Sequence, residues 1–99
     1  MNLTEKCKEK FIFWMCENYE YVRWHEYEDM PECALNALII EWLDSVGIYI
    51  SIYRDFFFND WYFKILGHCE KSHFKSRTKA TNAAIEKANI IYNETLKKC

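Results

Sequence analysis

Hydrophobic and polar positions change period along this chain, and each change marks an element. Leu3, Cys7, Phe11, Trp14 and Met15 recur at steps of four, four, three and one, with Glu5, Lys6, Glu9 and Lys10 between them. That spacing lines one face of a helix, predicted over 4–18 with Thr4 as its cap. A cleaner stripe, Leu35, Leu38, Ile39, Trp42, Leu43 and Val46, follows Asp29-Met-Pro-Glu. Asp29 is placed to cap this second helix, Pro31 suits its first turn, and Glu32 stands as in a capping box. Gly47 then falls where a left-handed residue closes a helix.

The period next drops to two. Ile48, Ile50 and Ile52 alternate with Tyr49, Ser51 and Tyr53; Trp61, Phe63 and Ile65 alternate with Tyr62, Lys64 and Leu66. β-Branched and aromatic residues in that pattern predict two strands, 48–54 and 61–66, each with one buried face. Residues 46–66 therefore read as an antiparallel hairpin on which the helices are laid. Its loop, Asp-Phe-Phe-Phe-Asn-Asp, holds Phe56, Phe57 and Phe58 where Gly, Asn and Asp are usual. One or two of these rings are expected to fold back onto the core and at least one to be exposed. Residues 70–75 offer a short third strand, with His73 and Phe74 on opposite faces. The last helix is predicted from Ser76 to about Lys97, buried along Ala80, Ala84, Ala88 and Ile91. Glu86, Lys87, Asn89, Asn93 and Glu94 are assigned to its wet side. Residues 19–29 interleave Tyr19, Tyr21, Trp24 and Tyr27 with Glu20, Arg23, Glu26 and Glu28, a pattern that suits an irregular strand or an ordered loop.

The resulting fold class is α+β, a single domain over 1–99. Helices pack on one face of a small antiparallel sheet, in the order α-α-β-β-(β)-α. The other face would carry Tyr49, Ser51, Tyr53, Tyr62, Lys64 and Leu66, and is expected to be open.

Composition adds a surplus. Aromatics make up 18% of the 99 residues, more than one small core absorbs, so some are expected at a contact surface. Charge is split: residues 1–44 hold four basic and ten acidic residues, residues 45–99 nine basic and five acidic. A net charge of −2 excludes a generic polyanion binder. The start, Met-Asn-Leu-Thr-Glu-Lys-Cys, lacks an apolar leader stretch, and no apolar run approaches the roughly 20 residues that cross a bilayer. With five cysteines of irregular spacing, these features predict a cytoplasmic chain with free thiols and no membrane association.

Candidate chemistry is sparse. His68, Cys69 and His73 form the closest ligand group, but no Cys-x-x-Cys occurs, so no metal or other cofactor is expected. Nothing marks a nucleophile turn, and two glycines leave no phosphate loop, so no enzyme activity is expected. The segment from Lys64 to Lys79 is basic. Lys71, Lys75, Arg77 and Lys79 are candidate phosphate contacts, since cations beside a helix N-terminus suit an anion.

The order α-β-β-(β)-α with Ser-Arg-Thr-Lys-Ala-Thr-Asn-Ala-Ala at 76–84 resembles the double-stranded-RNA-binding domain. That resemblance implies phosphate contacts at Lys75, Arg77 and Lys79. The family's Gly-Pro-x-His loop is replaced here by Asp-Phe-Phe-Phe-Asn-Asp, and the first helix is extra. Asp44-Ser-Val-Gly-Ile, Ser76-Arg-Thr and Ala83-Ala-Ile-Glu-Lys-Ala-Asn-Ile-Ile-Tyr-Asn look like small phage and prophage proteins of unassigned function. This second resemblance implies an accessory protein acting inside an infected bacterium. Such a protein would inhibit a host defence protein or protein–RNA complex stoichiometrically, as anti-CRISPR proteins do. Under that reading Trp24, Tyr27, Phe57 and Phe58 are the aromatic anchors, with Glu26 and Glu28 facing a basic partner. Direct duplex-RNA binding and self-assembly through the open sheet face are the alternatives.

Overall fold

The computed structural model describes residues 2–19 and 29–97. Helices α1 (Glu5–Asn18) and α2 (Glu32–Ser45) precede strands β1 (Ile50–Asp55), β2 (Asp60–Ile65) and β3 (Cys69–Phe74), and α3 (Arg77–Lys97) ends the fold. The sheet is antiparallel in the order β1-β2-β3, so the third strand exists and pairs beside the hairpin. The fold is the expected α+β arrangement, helices layered on the sheet. Its hub, however, is α3 and not the hairpin. That helix touches all three strands and both other helices. Ala80, Ala84 and Ala88 are fully buried, and their small side chains let the α3 axis lie close to the sheet.

Register decides which side chains meet α3. Ile50 pairs with Ile65 and Ile52 with Phe63, placing these four on the helix side. Phe63 and Ile65 join Phe11, Met15, Ile39, Leu43 and Ile85 in one buried cluster. Trp61 has the same parity but lies at the far end of the hairpin, outside that cluster, with the Arg54 guanidinium 5.7 Å from its ring centre. Its parity predicts a place in the core, which the buried cluster does not give it. Ile48 also differs from expectation. It is buried but does not begin β1, because its N–H is donated to the Leu43 carbonyl (2.9 Å) while Gly47 N–H goes to Asp44 (3.2 Å). That pair is a Schellman stop, with Gly47 at φ +87, so the helix end consumes the residue.

Two predicted caps are replaced. Thr4 occupies the N-cap position of α1 and Pro31 that of α2, and neither helix has a side-chain cap there. Pro31 has no hydroxyl or carboxyl to offer, and Asp29 lies two residues further out. The Thr4 hydroxyl instead accepts a hydrogen bond from Asn89 (3.0 Å), while the Cys7 N–H is donated to Asn93 Oδ1 (2.9 Å). Asn89 and Asn93, assigned to the wet side of α3, are therefore buried.

Candidate functional site

The hairpin tip is the most unusual surface of the described residues. Strand pairing ends at Asp55 opposite Asp60, so residues 56–59 project beyond the sheet. Phe56, Phe57 and Phe58 are 85%, 88% and 62% exposed. None folds back onto the core, contrary to expectation, because the core cluster takes in nothing beyond Ile52 in β1 or before Phe63 in β2.

The turn that presents these rings is braced on every side. The Asp55 carboxylate accepts the N–H groups of Phe57 (3.0 Å) and Phe58 (3.3 Å), an Asx turn that satisfies the loop backbone. Asn59 turns the chain at φ +54, a conformation its short polar side chain tolerates. The Arg54 guanidinium donates to the Asn59 side-chain oxygen and sits 5.8 Å from the centre of the Phe56 ring. Phe57 meets Phe58 edge to face at 4.9 Å, and Phe58 meets His73 at 5.9 Å. His73 is itself fixed by Asp60, Nδ1 to Oδ2 at 2.9 Å. A left-handed φ of +71 at His73 accompanies the register shift between β2 and β3 that brings its ring to the tip.

Beside the tip, the outer sheet face is open as expected. Tyr53 and Tyr62 stack at 5.0 Å with planes 21° apart, and Tyr49 and Leu66 are exposed.

The basic candidates do not form a single patch. Ser76 Oγ accepts the Lys79 N–H (3.1 Å), so Ser76 caps α3 as the sequence suggests, with Lys75, Arg77 and Lys79 exposed around that start. Arg77 lines a groove of about 530 Å³ between α2, β1 and α3, with Cys33, Asn36, Ile40 and Ile52. Lys71 pairs in register with Phe63 and lines the opposite groove, with Ala83, Glu86 and Ile90. Arg77 and Lys71 therefore flank α3 on opposite sides. Trp24, Glu26, Tyr27 and Glu28 lie outside the described residues.

Among the described residues no group of three or more His, Cys, Asp or Glu could hold a metal ion. No described helix is long and apolar enough to cross a membrane. Cys7 is fully buried and burial pushes its thiol up to about 12, so it is a small core side chain and not a nucleophile. Arg54, Asp55, Asn59 and Asp60 were not singled out from the sequence as parts of a site, and His73 was weighed only as a metal ligand. Asp55 alone carried a local signal, an Asp preceding a loop whose N–H groups two and three residues on it can accept.

No family model matches the chain, and no curated protein or solved structure matches it either.

Proposed function

We propose that this chain is a non-enzymatic binding protein that docks on a protein partner through Phe56, Phe57 and Phe58. The phage-type reading makes the partner a host defence protein or protein–RNA complex that the chain inhibits stoichiometrically. The observation that carries the docking proposal is the braced triple-phenylalanine tip. Three adjacent exposed Phe side chains add nothing to the core and expose the molecule to aggregation. Their orientation is nonetheless fixed by Asp55, Arg54, Asn59 and His73. A pre-ordered aromatic knob suits insertion into an apolar pocket, where each ring would contribute about 2–3 kcal/mol of burial.

Photo-crosslinking in an expressing bacterium tests this reading. A p-benzoylphenylalanine at position 57 should yield one discrete adduct, while the same probe at Glu94, exposed on α3, should not. Excess unlabelled wild-type protein should compete the adduct away, and the Phe58→Ser variant should abolish it. Equal crosslinking from both positions, or from neither, would remove the tip as the docking element.

A further inference from the structure

Helices α2 and α3 run in the same sense along the groove that holds Arg77. Asn36 on α2 donates to Asn82 on α3 (2.8 Å), and further along Trp42 meets Tyr92 with ring centres 5.1 Å apart. Both helices therefore start at one end of the groove. The α2 wall presents Glu32, Asn36 and Ile40 at steps of four, so it passes from charged to apolar along its length. Arg77 stands on the α3 wall, and Ile52 of β1 lines the groove from the sheet.

The groups at the polar end are unpaired. Neither Glu32 nor Arg77 makes an ion pair or a side-chain hydrogen bond among the described residues. Asn36 is 6% exposed, and its bond to Asn82 uses Nδ2, so the amide is fixed while Oδ1 accepts nothing. A buried acceptor left without a donor is costly. That oxygen is not sealed in the protein, because Asp60 Oδ1 is the one wholly enclosed side-chain atom without a partner among the described residues. It opens on the groove that Asn36 lines.

We propose that this groove binds a free apolar α-amino acid, with leucine as the type. The ligand ammonium donates to Asn36 Oδ1 beside the Glu32 carboxylate, and the ligand carboxylate pairs with the Arg77 guanidinium. The apolar side chain lies on Ile40 and Ile52. A bare anion leaves Glu32 and the Asn36 oxygen without a partner, and a bare cation leaves Arg77 without one; a zwitterion answers all three. The volume of about 530 Å³ lies within the roughly 300–1,000 Å³ of small-molecule sites. This site shares no residue with the phenylalanine tip and does not depend on the docking reading.

Titration of the ¹⁵N-labelled protein with L-leucine, read by NMR, tests it. Leucine should shift the Cys33, Asn36, Ile52 and Thr78 amides saturably. Leucinamide (no carboxylate), isocaproate (no ammonium), glycine (no apolar body) and inorganic phosphate should all bind more weakly. Arg77→Gln should raise the leucine Kd about three- to fivefold, the size of one screened ion pair, and leave that of leucinamide unchanged. Glu32→Gln should weaken leucine to a similar degree and leave isocaproate unchanged. Both positions are exposed, so neither variant threatens the fold. No saturable shift within the solubility of leucine, shifts centred on other residues, or equal affinity for glycine or phosphate would overturn the proposal. So would equal losses of leucine and leucinamide in Arg77→Gln.

Discussion

Asn93 caps α1 from the far end of the chain. Its Oδ1 accepts the Cys7 N–H (2.9 Å) and its Nδ2 donates to the Thr4 carbonyl (3.1 Å), while Asn89 Oδ1 accepts the Thr4 N–H (2.9 Å). Helix starts leave unpaired N–H groups, and burial here keeps water from satisfying them. The clamp also holds Glu5 at φ +54, a left-handed conformation that costs about 1–2 kcal/mol in a non-glycine residue. Asn93→Ala should therefore destabilise the protein by about 1–3 kcal/mol in urea unfolding, because the buried Cys7 N–H loses its partner while the Thr4 carbonyl keeps only the Lys8 N–H. Asn93→Asp keeps the acceptor for Cys7 and should lose less. None of this was legible in the sequence: an Asn between Tyr92 and Glu94 reads as wet side, and its partners lie more than 80 residues away. Cys7 gives a second test at this scale. Its folded pKa of about 12 stands above the ordinary value of 9.0 because burial disfavours the thiolate. Above pH 9 the unfolded chain releases this proton and the folded chain keeps it. Stability is thus intact below pH 9 and lost as pH rises from 9 towards 12, by at most about 1.4 kcal/mol per unit from this group. Urea unfolding across that range should show the decline, and Cys7→Ala should flatten it. Iodoacetamide followed by peptide mapping should label exposed Cys33 quickly and Cys7 only after unfolding.

Elements were far more legible than their joins. Three helices and the hairpin follow from residue periodicity, because burial on one face of each imposes it. Boundaries moved where backbone hydrogen bonding overrode the pattern, as at Ile48, claimed by the end of α2. The tip shows the converse. The sequence makes three adjacent Phe conspicuous but says nothing of where the sheet ends, and that alone leaves all of them outside. Element-scale substitutions should separate presentation from folding. Gly47→Ala meets no atom within 4 Å, so its cost is backbone only, about 1–2 kcal/mol for φ +87, with Gly47→Asn costing less. Phe63→Ala, at 2% exposure, should cost about 3–5 kcal/mol. Phe57→Ser should change stability by no more than about 0.5 kcal/mol while abolishing partner capture. Thermal unfolding of the four variants beside the crosslinking assay checks that ordering. A large loss of stability in Phe57→Ser would mean that the ring supports the fold instead of a partner.

At the scale of the whole molecule the question is which surface meets a partner, and the placement of the cations bears on it. A duplex-RNA reader needs its phosphate contacts on one face, and the topology here divides them. Arg77 faces the α2 side of α3, whereas Lys71 faces the β3 side, where Glu70, Glu86 and Lys87 also line the groove. The outer sheet face is acidic at Asp55, Asp60 and Glu70. A rigid duplex approaching the start of α3 can thus neutralise Lys75, Lys79 and one flank, not all four cations. Each neutralised phosphate contributes about −0.9 to the slope of log K against log salt. Binding to a 16-base-pair RNA should accordingly be weak, with a slope no steeper than about −3 and no detectable shift near 150 mM salt. Charge reversal at the helix start, in a Lys75→Glu, Arg77→Glu double variant, should leave the position-57 adduct intact, because neither side chain is among those that brace the phenylalanine tip. A slope of −5 or steeper, or loss of the adduct in the double variant, would instead make the α3 start part of the working surface. The aromatic tip would then be only one half of a partner site that also includes nucleic acid.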